Sequence, residues 1–77
     1  MTNTNTFNGW ANYETWNVAL WINNDEFLNE LAQEAGNYET FIQLADGCNY
    51  FETADGVDLL NRNIDIEAIN EIVFDFN

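Results

Sequence analysis

The chain has 77 residues, with 14 acids against one base, Arg62, for a formal net charge of -13; 47% of it is hydrophobic and 16% aromatic. That length allows one domain, and the apolar content argues against intrinsic disorder. The charge repels nucleic acid and anionic membrane, so an electrostatically guided partner must be basic. With no His and one Cys, an internal disulfide is excluded, and a zinc site or a Ser–His or Cys–His catalytic pair is close to excluded. The lone Cys48 reads as a small buried hydrophobe in a reducing compartment. No basic n-region or long apolar run marks a signal peptide or a membrane span.

Residues 1–8, MTNTNTFN, read as a flexible polar tail, with Phe7 and Trp10 able to tuck onto a core. Residues 9–77 then form one helical domain. Its hub is Asn12–Asn23, NYETWNVALWIN, where Asn12 caps a helix and Glu14 sits in the dipole-favoured first turn. Trp16, Val18, Ala19, Leu20, Trp21 and Ile22 cover more than one side of that helix, Tyr13 to about Ile22.

Asn24 caps a second helix, Asp25 to about Ala35, in which Phe27, Leu28, Leu31, Ala32 and Ala35 make one apolar stripe. Gly36 stops it. Asn37-Tyr38-Glu39-Thr40 then repeats Asn12-Tyr13-Glu14-Thr15; the simplest account is reuse of a helix start, since a repeat architecture normally needs three units. The third helix runs from about Tyr38 to Ala45. Between Cys48 and Asn63 two readings stand: a small hairpin near 50–60 around Asp55-Gly56, or a loop with a helical turn, the loop being preferred. Asp65 caps the last helix, Ile66 to about Phe74, whose face is Ile66, Ile69, Ile72, Val73 and Phe76. The expected fold is all-α, a compact bundle of about four short helices.

Asp25, then Glu26, Glu30 and Glu34 at four-residue steps, put a row of carboxylates about 6 Å apart on the second helix. Glu67, Glu71 and Asp75 form a second row. Like charges at that spacing repel by a few tenths of a kcal/mol each, and no base relieves them. A solvated, solubilising surface is the plain explanation. Yet solubility does not require removing the bases, and spaced carboxylates can imitate the phosphate rows that Lys/Arg grooves hold. A calcium loop fits poorly: a frame starting at Asn61 places Ile66 and Ile72 where Gly and Glu are needed.

At NYETWNVALWINNDE the chain resembles a group of small acidic proteins of bacteriophages and mobile elements that share YETWNVALW followed by Asn-Asp-Glu. Thr53-x-Asp55-Gly56-Val57 and Asp65–Glu71 are similar to that group as well. The resemblance implies a phage gene acting in a bacterial cytoplasm, where small acidic proteins often disarm restriction enzymes, CRISPR complexes or polymerases. It carries no catalytic residues over.

The expected function is therefore a non-enzymatic inhibitor without cofactor or metal, a monomer or homodimer. It occupies the basic groove of a host nucleic-acid-binding protein through Asp25, Glu26, Glu30 and Glu34, with Glu67, Glu71 and Asp75 behind them. It touches neither nucleic acid nor membrane directly. The alternative is a small adaptor that binds a protein through an exposed aromatic patch of Trp10, Tyr50 and Phe51.

Overall fold

Four helices follow one another in the computed structural model, which describes residues 9–75: α1 Tyr13–Asn24, α2 Glu26–Ala35, α3 Tyr38–Gly47 and α4 Ile66–Ile72. The polar tail, with Phe7, and the end of the last apolar face, at Phe76, lie outside the described residues. All four helices begin the same way. The side-chain oxygen of Asn12, Asp25, Asn37 or Asp65 accepts the backbone N–H three residues on, at 2.8, 3.0, 2.8 and 3.1 Å respectively. Each such cap satisfies a donor that the first turn leaves unpaired, worth about 0.5–2 kcal/mol.

Several boundaries differ from the expectation: α1 runs on to Asn24 rather than about Ile22, α3 to Gly47 rather than Ala45, and α4 stops short of Phe74. Asp25, not Asn24, caps α2, and the Asp25 N–H also closes α1 by donating to the Trp21 carbonyl at 2.9 Å. Asn24 belongs to α1 and donates its side-chain amide to the Leu20 carbonyl at 2.9 Å. A single residue thus joins the two helices. Gly36 stops α2 with φ 84°, a left-handed conformation that strains any side chain. α4 ends at Ile72, and the Phe74 N–H turns back onto the Ile69 carbonyl at 3.2 Å.

α2 packs on α1 and α3; α4 also touches both, while α2 and α4 do not meet. Between them lie Val18, Ala19 and Ile22 of α1, Leu28 and Ala32 of α2, and Tyr38, Phe41 and Ala45 of α3. Val57, Leu59 and Ile64 enter from the long connection, and Ile69, Val73 and Phe74 from the C-terminal end. Tyr38 stacks on Phe41 at 5.8 Å between ring centres, and Phe74 meets both edge-on at 6.4 and 6.0 Å. The buried Tyr38 hydroxyl donates to the Leu59 carbonyl at 2.8 Å. Burial pushes that phenol well above the ordinary tyrosine range, and the Asp58 carboxylate adds to the shift.

The two Asn-Tyr-Glu-Thr segments share their cap geometry, a first-turn Glu and a ring contact from the Tyr to the aromatic three residues on, at 5.7 and 5.8 Å, but not their burial. Tyr38 is buried where Tyr13 is 36% exposed, and Thr15 is buried where Thr40 is only half-buried. Reuse of a helix start accounts for them.

The hub expectation needs correcting in its residues. α1 is central, but through Thr15, Asn17, Val18, Ala19 and Ile22. Trp16 and Trp21 are half-buried and Leu20 is 36% exposed. One sector of the helix faces the core, a second faces the loop at 53–57, and Leu20 falls in the sector left open. Phe27 at 49% and Ile72 at 60% exposure also leave the stripes to which their spacing assigned them. Each helix is short and meets neighbours along a band narrower than its apolar sequence. Cys48 is exposed rather than buried, because it follows the last turn of α3 in a surface turn.

Between α3 and α4 both readings are partly realised. Among the described residues no strand forms, but Glu52 and Asp58 make one antiparallel bridge. The Thr53 N–H donates to the Val57 carbonyl at 2.8 Å and the Leu59 N–H to the Phe51 carbonyl at 3.0 Å. Gly56 takes φ 90° at the tip, where its N–H closes a turn onto Thr53 at 2.8 Å. This is a hairpin reduced to its turn and one bridge.

Candidate functional site

Asn17 and Trp21 of the tryptophan motif hold this loop. Asn17, fully buried, donates its amide to Asp55 Oδ2 at 2.8 Å, and its oxygen accepts the Thr53 hydroxyl at 2.6 Å. The Trp21 indole N–H donates to the same Asp55 oxygen at 2.9 Å. One turn earlier, the Thr15 hydroxyl donates to Asn12 Oδ1 at 2.7 Å and accepts the Asp65 N–H at 2.9 Å. Asn12 Nδ2 donates to the Asn63 carbonyl at 2.6 Å. Among the described residues no buried side-chain N or O atom lacks a partner. A satisfied network of this kind fixes one arrangement of loop on helix.

These two donors, Asn17 first and Trp21 second, hold the Asp55 carboxyl below its ordinary value of 3.8. A depressed folded pKa means stability that is present above the unfolded value and lost as pH falls through the folded one. The loop is therefore expected to loosen from α1 only below pH 3.8. The Trp21 indole resonance, followed by NMR down the pH scale, should titrate with a midpoint under that value and should lose the transition in Asp55→Ala. A midpoint at or above it contradicts the assignment.

The expected partner-binding acids fall into two groups, one at α2 and one at α4. Glu26, Glu30 and Glu34 are exposed along α2, whereas Asp25 is half-buried with one carboxylate oxygen engaged by the Leu28 N–H. Glu67 and Glu71 are exposed on α4, and Asp75 is exposed just past its end. α2 and α4 do not touch, so the two rows stand on helices that are not packed together. Among the described residues no Asp or Glu is buried, and Arg62 is exposed. Self-repulsion of such a surface is screened as the Debye length shrinks from about 30 Å at 0.01 M salt to about 3 Å at 1 M. The melting temperature is expected to rise across that range in a calorimetric salt series; a flat profile contradicts a repulsive surface.

A third feature escaped the sequence reading. Ile42 and Asp46 of α3, Tyr50 and Phe51 after it, and Asp58, Leu59 and Leu60 line an open pocket of about 170 Å³. Tyr50 and Phe51 were expected together, but Trp10 is absent from this lining and packs against the core instead. Burial pushes the Tyr50 phenol up, with the Asp25 carboxylate adding to the effect. The available signals were Ile42 and Asp46 one helical turn apart and the Leu59-Leu60 pair beside an acid. Nothing in the spacing says that the two segments meet.

Among the described residues no group of three or more His, Cys, Asp or Glu side chains is placed to hold a metal ion, and no helix is long and apolar enough to cross a membrane. The model of a protein family of unknown function, DUF7249, matches residues 3–77. No curated protein and no solved structure matches the chain.

Proposed function

We propose that this chain, which belongs to the DUF7249 family of unknown function, is a phage-type inhibitor that blocks the nucleic-acid groove of a host protein by presenting carboxylates in place of phosphates. It acts without catalysis, in the bacterial cytoplasm, on a target such as a restriction enzyme, a CRISPR complex or a polymerase. The observation that carries this reading is the exposed row Glu26, Glu30, Glu34 in a chain with a single base. The row runs about 12 Å along the helix, the axial length of roughly three to four phosphates on one DNA strand. An element of that size plugs the mouth of a basic groove rather than replacing a long duplex. Lys and Arg side chains there bind carboxylates by the same charge-assisted hydrogen bonds that they give to phosphate.

The pocket beside Phe51, which is 54% exposed, and Leu60, 72% exposed, favours a second reading as an adaptor that binds through apolar contact. The two differ in salt dependence. The test uses the immobilised full chain to capture proteins from host extract. Mimicry expects release by about 1 M salt, where charges are screened within about 3 Å, and by added DNA. Retention through both treatments overturns it in favour of the adaptor.

A further inference from the structure

We propose that the pocket between α3 and the 51–60 loop is a docking site for a basic peptide segment of a protein partner, which inserts one apolar side chain flanked by Lys or Arg. This rests on the adaptor reading of the pocket, names the chemistry of the partner, and uses none of the α2 row.

Three observations carry it. The first is size and lining. The space of about 170 Å³ is floored by the buried Leu59 and by Ile42, with Tyr50, Phe51 and Leu60 around it. A cavity of about 150 Å³ lined by Leu, Ile and Phe takes up benzene, so this one has room for a Leu or Phe side chain. The second is the rim. Phe51 and Leu60 stand 54% and 72% in water, and hydrogen bonds already fix their backbone. The Leu59 N–H donates to the Phe51 carbonyl at 3.0 Å, and the Leu60 N–H donates to Asp58 Oδ1 at 2.8 Å. A loop backbone fixed in advance lowers the ordering cost of binding.

The third observation is charge, and it selects the occupant. Asp46 and Asp58 flank the apolar opening, and both are exposed. Asp46 lies in the last turn of α3, whose C-terminal end adds its own negative potential and whose last turn holds no base. An anionic or fatty-acid ligand is repelled. A second copy of this chain fits badly, since each copy carries -13 and only Arg62 to offer. An apolar side chain with cations on either side satisfies both the pocket and its rim.

The experiment titrates the full chain into two fluorescently labelled peptides of equal charge, Lys-Arg-Leu-Arg-Lys and Lys-Arg-Ser-Arg-Lys, in about 0.15 M salt, where the Debye length is about 8 Å. The Leu peptide is expected to bind about tenfold more tightly, the scale of burying one leucine side chain. Phe51→Ser with Leu60→Ser, both at exposed positions, should reduce it to the level of the Ser peptide. Asp46→Asn with Asp58→Asn should weaken both peptides and keep the Leu preference. Substituting the α2 row should leave that preference intact, so mimicry and docking fail separately. Equal affinity for the two peptides overturns the proposal, as does a Leu preference that survives Phe51→Ser with Leu60→Ser. Dimerisation in sedimentation that these two substitutions abolish also overturns it, by assigning the face to a second copy.

Discussion

Phe41→Ala is expected to lower the melting temperature by about 15–30 °C. Phe41 is fully buried at the middle of α3, stacked on Tyr38 at 5.8 Å and met edge-on by Phe74 at 6.0 Å. Truncating a buried Phe costs roughly 3–5 kcal/mol, from lost burial and the cavity left behind. A domain of this size has a total stability of about 4–12 kcal/mol, and each kcal/mol moves the transition by about 4–8 °C. The loss is therefore a large share of the whole. Leu20→Ala is the contrasting variant. Leu20 lies on the central helix but is 36% exposed, so its loss should stay within about 1 kcal/mol, on the scale of surface substitutions. Thermal unfolding by circular dichroism separates the two. A loss at Leu20 as large as that expected at Phe41 would mean that α1, not the aromatic trio of Tyr38, Phe41 and Phe74, bears the core.

That contrast shows where the sequence was legible. The helix starts could be read because Asn12, Asn37 and Asp65 act on donors only three residues away, a local event that needs no knowledge of the fold. The apolar stripe of α2 was readable for the same reason, apart from Phe27. The burial within α1 was readable only in part. A count of apolar residues pointed to Trp16, Val18, Ala19, Leu20, Trp21 and Ile22, of which Val18, Ala19 and Ile22 are buried, yet the fully buried positions also include Thr15 and Asn17. A polar side chain can be buried only where partners await it, and those of Asn17 stand 36 and 38 residues away at Thr53 and Asp55. The same distance explains the ambiguity at 48–63. That segment has too few backbone pairings to declare itself a hairpin, because its anchor is α1 rather than a partner strand. The acidic rows were visible by spacing, but their separation on α2 and α4 was not, since it depends on which helices touch. Of the pocket only Tyr50 and Phe51 were visible, as exposed aromatics: α3 and the loop each supply part of it, and nothing in either part says that they meet.

Converting Glu26, Glu30 and Glu34 to Gln is expected to leave the fold standing while weakening target binding by about ten- to a hundredfold. All three side chains are exposed, and Gln matches Glu in size and helix propensity. Relief of two like-charge pairs stabilises α2 by about 0.2–0.5 kcal/mol each. Loss of the favourable first-turn charge at Glu26 costs about 0.3–1 kcal/mol, so the melting temperature should hardly move. In the complex each carboxylate gives up a pairing with Lys or Arg. At a partly solvated groove mouth that pairing is worth the upper end of the surface range, about 1 kcal/mol. Three such losses sum to about 3 kcal/mol at most, which sets the hundredfold limit. Some of the change should appear as slower association, because the net charge falls in magnitude from 13 to 10 (13 minus 3) and steering falls with it. Glu67→Gln with Glu71→Gln is the matched control. Since α4 does not contact α2, its effect should be independent of the first set. Affinity unchanged in the triple variant but reduced in the control moves the mimic to α4. Affinity unchanged in both, or nucleic acid and this chain bound together on one target, removes phosphate mimicry and leaves the pocket at Phe51 and Leu60 as the surface through which the protein acts.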